Sequence, residues 1–316
     1  MNQLHIVTPT FKSEYLQLLT HKNIFLKMDC FQPTGSFKIR GIGYLCQDLI
    51  AKGCQHFVAS SGGNSGYAVA YAGKKLHVPV TVFVPKSTNA IFLKRLTEEN
   101  ATVKVAGEVW DEAHQAAMAF VKEVNGGYIP PFDHPLIWQG HASIVDEIVE
   151  QCPKPDAILV AVGGGGLACG ILQGLDKYNW SDVPLFAVET EGCASFAATL
   201  KAGKLVSVDK INTIATSLGA KTVTAKLVEW MHKRVIHSLV VTDRDAILAC
   251  RHFVDDHRVL VEPACGAALS VVYNVEQFPL LADKKNIVVI VCGGVGISLD
   301  LMQDYLQKTG AILERH

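Results

Sequence analysis

The sequence predicts an α/β protein of two domains, each a mostly parallel twisted sheet flanked by helices, with a ligand site in the cleft between them. Three observations predict it. Short apolar runs alternate with helically periodic stretches along almost the whole chain, as parallel strands joined by covering helices do. The 316 residues exceed what one simple core needs. A polar, proline-rich segment at 128–140, YIPPFDHPLIWQG, separates two strand–helix series.

The strands are expected at 24–29, 56–60, 79–84, 101–105, 156–162, 184–189, 236–241 and 286–292. Each is a short run of apolar, often β-branched residues between polar or glycine-rich breaks. Between them lie helical patterns. Ile39, Ile42, Leu45, Cys46, Leu49 and Ile50 fall at i, i+3, i+4 spacing, and Gly53 closes the run. The first series covers roughly 36–127 and the second roughly 141–316. The N-terminal strand is compatible with either sheet.

Composition narrows the function. Apolar residues make up 49% of the chain and charged residues 19%, which supplies a large core and excludes a disordered chain. A net charge of −1 gives no electrostatic case for nucleic acid or an anionic membrane surface. The nine cysteines are odd in number, irregularly spaced and without a CxxC pair. That argues against a disulfide framework or a zinc site and for a reducing compartment. The first residues, MNQLHIVTPTF, lack a basic stretch followed by an apolar one, and no apolar run reaches the roughly 18–20 residues of a membrane helix. A soluble, cytoplasmic protein with a small-molecule partner is the expectation.

Four stretches carry chemistry. In Pro33-Thr34-Gly35-Ser36-Phe37-Lys38 a turn runs into a helix, with Ser36 as candidate N-cap. Lys38 then lies in the first turn, where the helix dipole disfavours an ammonium and favours a neutral amine or its covalent adduct. Ser60-Ser61-Gly62-Gly63-Asn64 follows a strand and opens a helix, leaving free N–H groups for an anion such as a carboxylate. Gly163-Gly164-Gly165-Gly166-Leu167 does the same after 156–162. Four successive glycines are not expected from packing, and they let backbone N–H groups close on a phosphate. Finally Cys292 ends a strand just before Gly293-Gly294, at the sheet edge where ligands bind. Taken singly, each stretch has an ordinary reading: an exposed lysine, two tight turns and an inert buried cysteine.

The third stretch also supports a rival. Gly163, Gly165 and Ala168 fit G-x-G-x-x-A, and the next strand ends in Glu189, placed to bind a ribose hydroxyl. A nicotinamide (NAD)-dependent oxidoreductase is therefore an alternative on that segment alone, although it leaves SFKIRG and SSGGN idle.

Together the stretches resemble the tryptophan-synthase-β (fold-type II) family of pyridoxal-phosphate enzymes, and within it the serine/threonine dehydratases, nearest the serine dehydratase and serine dehydratase-like branch. PTGSFKIRGIG, SSGGNSG, ATVKVAGE, YIPPFDHPLIWQGHASI, GGGGLACG, KAGKLVS, LVEPACGAAL and VVIVCGG recur in order over nearly the whole chain. The resemblance implies β-elimination from L-serine or L-threonine, giving pyruvate or 2-oxobutyrate plus ammonia. Lys38 would bond the cofactor and act as base. Phe37 would pack beside its ring, Asn64 would meet the ring hydroxyl, and Gly163, Gly164, Gly165, Gly166 and Leu167 would hold its phosphate. Cys292 would face the pyridine nitrogen. Ser61, Gly62, Gly63 and Asn64 would receive the substrate carboxylate. A monovalent cation, K+ in the family, would sit near Glu189 and the backbone oxygens of Gly163, Cys193, Leu218 and Ala220. Residues 1–35 and 136–316 would form the large cofactor-binding domain and 36–135 a small substrate-gating domain, in a homodimer.

A neutral Cys292 thiol would not keep the pyridine protonated, so the ring would be a modest electron sink, which suits prompt loss of the β-hydroxyl better than transamination. Serine racemases and β-replacement synthases share the lysine and glycine loops and stay open as alternatives, as does a catalytically dead relative that only binds. Two departures from the family stand out: Val295-Gly296 where relatives carry Asn or Ser, and Gly62 where the best-known serine dehydratases carry alanine. The short stretch after VVIVCGG leaves no room for an effector domain, so an unregulated catabolic enzyme is expected.

Overall fold

The computed structural model describes residues 3–311. Strand β1 (Thr10–Lys12) and helix α1 (Glu14–Thr20) precede β2 (Asn23–Lys27). Helix α2 (Lys38–Ala51) leads to β3 (Phe57–Ala59), α3 (Asn64–Leu76), β4 (Val80–Val84), α4 (Ala90–Glu98), β5 (Thr102–Val105), α5 (Trp110–Glu123) and β6 (Gly127–Tyr128). Helix α6 (Pro135–Gln151) then opens a second series: β7 (Ala157–Ala161), α7 (Gly166–Lys177), β8 (Leu185–Thr190), α8 (Ser195–Ala202), α9 (Ala225–Met231) and β9 (Ile236–Val241). The chain continues through α10 (Asp243–His257), α11 (Pro263–Tyr273), β10 (Asn286–Ile290) and α12 (Leu299–Lys308).

The strands form two sheets. The larger has the order β1-β2-β10-β7-β8-β9 and the smaller β5-β4-β3-β6. Among the described residues only β1 runs antiparallel to its neighbour. The N-terminal strands therefore join the larger sheet. β7 (AILVA) and β8 (LFAVET) are buried throughout, as parallel strands covered on both faces must be. Helix α11 is buried along nearly its whole length and lies inside the main core.

Two features fix α2, which carries Lys38. Its backbone approaches α6 so closely that a Cβ at Gly41 would lie 2.4 Å from the Ile137 carbonyl oxygen, and one at Gly140 2.5 Å from that of Arg40. Arg40 is fully buried. It forks onto Asp29 through Nε and Nη2 (2.7 Å each) and onto Glu147 through Nη1 (2.6 Å) and Nη2 (2.8 Å). Lys27 Nζ donates to the same Glu147 (2.5 Å) and to the Thr8 carbonyl (2.7 Å). Buried charges persist only when paired in this way, so the start of α2 is locked to β2 and α6.

The expected N-cap at Ser36 is not formed. Phe37 is the capping residue of α2, without a side-chain cap bond. Ser36 instead makes a bridge with Gly293, and its buried Oγ has no partner. The tertiary contact with the 292–296 turn outweighs the local preference.

Candidate active site

Lys38 is the first residue of α2 and is half-buried. Its Nζ donates to the Pro131 carbonyl at 2.5 Å and lies 5.1 Å from the centre of the Phe37 ring. Burial brings its ammonium down to about 8, against weaker opposing pulls from Cys292 and Glu262. The Phe37 ring also meets His141 edge-on, with centroids 4.9 Å apart. Burial, with Lys38 and Arg40 nearby, keeps His141 well below the ordinary imidazole value and so neutral.

The turn after β10 braces this region. The Phe37 N–H donates to the Cys292 carbonyl (2.9 Å), Gly294 N–H to Gly35 (3.0 Å) and Glu262 N–H to Gly293 (3.2 Å). Cys292 is buried, and a hydrogen bond with Cys265 together with that burial holds its thiol far above the ordinary value. It is a neutral thiol. Val295 fills the space over Gly35, where a Cβ would meet its Cγ2 at 2.1 Å. Gly296 brings its N–H to Glu262 Oε2 at 3.2 Å, and a Cβ there would stand 2.8 Å from that oxygen. The Val295-Gly296 departure is thus a fitted pair: one side chain packs on Gly35 and one bare backbone serves Glu262.

Asn64 opens α3. Its Nδ2 donates to Glu262 Oε1 at 2.7 Å and approaches Ser217 Oγ at 3.5 Å, while its buried Oδ1 has no partner. Ser61, Gly62 and Gly63 form the turn before it, and the first N–H groups of α3 have no acceptor within the helix. Glu262 was absent from the sequence-based site. Burial raises its carboxyl above the usual range, against hydrogen bonds from Ser217, Gly296 and Asn64. Its signal was a lone charge in the otherwise apolar LVEPACGAAL.

The glycine loop leads into α7, with Gly165 at φ +86°, a conformation glycine adopts at no cost. Packing does demand these glycines, contrary to expectation. A Cβ at Gly164 or Gly166 would collide with Phe132, at Gly163 with Leu218, and at Gly165 with Leu227. The segment expected to be a boundary is therefore part of the site. Pro131 receives Lys38, Phe132 packs on the loop, and Asp133 accepts from Thr224 (2.6 Å), whose N–H donates to Gly164 (2.9 Å). Leu167 is buried behind the loop.

Glu189 lies at the end of β8, fully buried. Its two oxygens accept the Phe196 (2.7 Å) and Ala197 (2.8 Å) N–H groups at the start of α8. Glu189 is thus buried against α8 rather than displayed at the loop for a ribose, which weighs against the dinucleotide reading of this segment. Gly163 abuts Leu218, and the Leu218 carbonyl also accepts the Ala220 N–H (2.7 Å). Cys193 lies by Thr190 at 3.1 Å. Among the described residues no helix is long and apolar enough to cross a membrane.

These residues fit pyridoxal phosphate. A lysine of lowered pKa interacts with a neutral thiol, an amide oxygen at the start of α3 is buried without a partner, and a glycine cradle opens a helix. Residues 1–293 match the family model for pyridoxal-phosphate dependent enzymes. The chain is 49% identical to the human L-serine dehydratase/L-threonine deaminase, over 97% of this chain and 96% of the relative. It is 48% identical to the human serine dehydratase-like protein, over 98% and 96%. A fungal L-serine ammonia-lyase from Rhizomucor miehei superimposes with a TM-score of 0.92, at 40% identity over 97% of this chain and 99% of that one. Maize serine racemase superimposes at 0.89 with 25% identity, over 97% and 93%.

Proposed function

The chain belongs to the pyridoxal-phosphate-dependent enzyme family, and from that membership we propose its working chemistry: deamination of L-serine and/or L-threonine to pyruvate or 2-oxobutyrate plus ammonia. Lys38 carries this reading. A lysine held near 8 between Cys292, Glu262 and the Pro131 carbonyl is an amine prepared for a carbonyl and for a Cα proton.

Pyridoxal phosphate, bonded to Lys38, supplies the electron sink for the Cα bond. The loop of Gly163, Gly164, Gly165, Gly166 and Leu167 would hold its phosphate, and the Asn64 side-chain amide would hydrogen-bond its ring oxygen. Cys292, a neutral thiol, would lie toward its ring nitrogen, an arrangement that would favour elimination over transamination. Ser61, Gly62, Gly63 and Asn64 bind the substrate carboxylate at the start of α3. The free amine of Lys38 would take the Cα proton, and the Pro131 carbonyl, which accepts from its Nζ, would orient it. The β-hydroxyl would leave as water, its added proton matched by the one that Lys38 takes from Cα, and hydrolysis of the resulting enamine would give the 2-oxo acid and ammonia.

The same reading assigns 1–35 and 136–316 to a cofactor-binding unit and 36–135 to a unit that closes over substrate. It places a monovalent cation against Glu189 and the carbonyls of Gly163, Cys193, Leu218 and Ala220. It also takes the protein as a cytoplasmic homodimer. Purified protein given cofactor should show the visible absorption band of lysine-bound pyridoxal phosphate and release 2-oxo acid from L-serine or L-threonine. Lys38→Ala should lose both. Full turnover in that variant would end the reading, and D-serine without oxo acid would move the reaction to racemisation.

A further inference from the structure

Ser60 follows β3 and immediately precedes the turn at 61–63. It is fully buried. Its Oγ lies 2.7 Å from the Tyr128 hydroxyl on β6 and 3.3 Å from His114 Nδ1 on α5, and those two atoms are 3.0 Å apart. The ladder between β3 and β6 pairs Phe57 with Gly127 and Val58 with Tyr128, and the Ile129 N–H donates to the Val58 carbonyl at 2.8 Å. Past that rung the side-chain triangle ties the two strand ends together. Each hydroxyl brings one proton. Both protons stay inside the triangle when Ser60 donates to Tyr128 and Tyr128 donates to Nδ1. The His114 ring is itself held. Trp110 stacks on it with centroids 4.8 Å apart and planes at 8°, and Tyr128 meets it edge-on at 5.3 Å.

The turn beyond Ser60 has little slack. A Cβ at Gly66 would lie 1.8 Å from the Ser61 carbonyl oxygen, and one at Gly62 2.6 Å from Thr88 Cγ2. Packing this close transmits a displacement of Ser60 to its neighbours in the turn.

We propose that His114 is a positioning residue for substrate: its Nδ1 closes the triangle that fixes Ser60, and so sets where residues 61–64 present their donors to a carboxylate. The proposal rests on the reading of that turn as the carboxylate site of the deamination. His114 lies outside the turn and acts through Tyr128 and Ser60.

His114→Phe keeps a ring against Trp110 and Tyr128 and removes the acceptor. In the holoenzyme KM for L-serine should rise about fivefold, the effect of one lost hydrogen bond, with kcat nearly unchanged. The inhibition constant of propionate, which offers a carboxylate and neither an amine nor a β-hydroxyl, should rise by the same factor. His114→Asn returns an amide oxygen close to the place of Nδ1 and should recover most of both losses. Tyr128→Phe should raise KM likewise. Combined with His114→Phe it should add little, because both break one link.

A folded His114→Phe holoenzyme with wild-type KM, whatever its melting temperature, overturns the proposal. So does a raised KM with an unmoved propionate constant, or a His114→Asn variant no better than His114→Phe. If His114→Phe fails to fold, Tyr128→Phe decides by the same two constants. If that fails too, a crystal structure of the wild-type holoenzyme with propionate decides. A closed triangle with the carboxylate on the turn supports the proposal, and a His114 ring turned away from Ser60 and Tyr128 overturns it. A wild-type holoenzyme that releases no 2-oxo acid from L-serine or L-threonine would instead end the underlying reading.

Discussion

Gly62 lies against Thr88: a Cβ at position 62 would stand 2.6 Å from Thr88 Cγ2 and 3.0 Å from Val84 Cγ1. Thr88 is not free to turn, because its hydroxyl donates to the Pro85 carbonyl at 2.8 Å. Gly62→Ala therefore pushes the Ser61–Gly63 turn toward the substrate. Overpacking of this kind costs about 1–3 kcal/mol. KM for L-serine should rise by about tenfold with a smaller change in kcat. Removing the obstructing methyl with Thr88→Ser should recover most of the loss. Steady-state kinetics on the three proteins checks this, and an unchanged KM in Gly62→Ala would show that the turn does not touch substrate.

The amine of Lys38 sets a pH dependence. It falls from 10.5 to about 8, chiefly by burial. At pH 7 about a tenth of the apoprotein then has a neutral amine, against roughly one part in a few thousand for an ordinary lysine. Capture of added pyridoxal phosphate needs that neutral form. Its rate should climb with pH and level off above about 8, which stopped-flow absorbance of the apoprotein would follow. A rate still rising steeply through about pH 10 would mean that the lysine is solvated.

Much of this arrangement was readable in the chain, for reasons visible in particular residues. AILVA and NIVVI announce themselves because strands covered on both faces are continuously apolar. β1 (TFK) and β6 (GY) did not, being too short to show a period. Lys38, Asn64 and the four glycines stand in local patterns that imply free N–H groups or an unusual lysine. Pro131 was illegible as a contact, since its carbonyl acts and every residue has one. Glu262 was hidden because its role depends on Asn64 and Gly296, far away in sequence, and Ser36 misled because a tertiary bridge replaced its local cap.

Lys27 tests the lock on α2. It is fully buried, and its Nζ also reaches Gln151 Oε1 at 3.1 Å. Lys27→Met leaves the Glu147 carboxylate and the Thr8 carbonyl short of a donor in the core. Removing one partner of a buried pair costs about 3 kcal/mol or more. Urea unfolding should show that loss while the cofactor band of the folded protein stays in place. Wild-type stability in Lys27→Met would mean that Arg40 and the Thr8 N–H satisfy Glu147 without it.

Glu189 offers a test of the cation. Burial lifts its carboxyl from 4.5 to about 7, against the N–H groups of Phe196, Ala197 and Ser195. A carboxyl whose folded value lies above its unfolded one gives stability that is complete below about 4.5 and is lost as pH rises through about 7. The loss is on the order of 3 kcal/mol. A K+ ion beside Glu189 would stabilise the ionised form and cancel most of it. Melting temperatures should therefore diverge between KCl and tetramethylammonium chloride of equal ionic strength as pH rises from about 5 to about 8, with K+ the more stabilising. Glu189→Gln should remove the divergence. Identical curves in the two salts would rule out a cation at Glu189 and leave its carboxylate with one task, holding the start of α8.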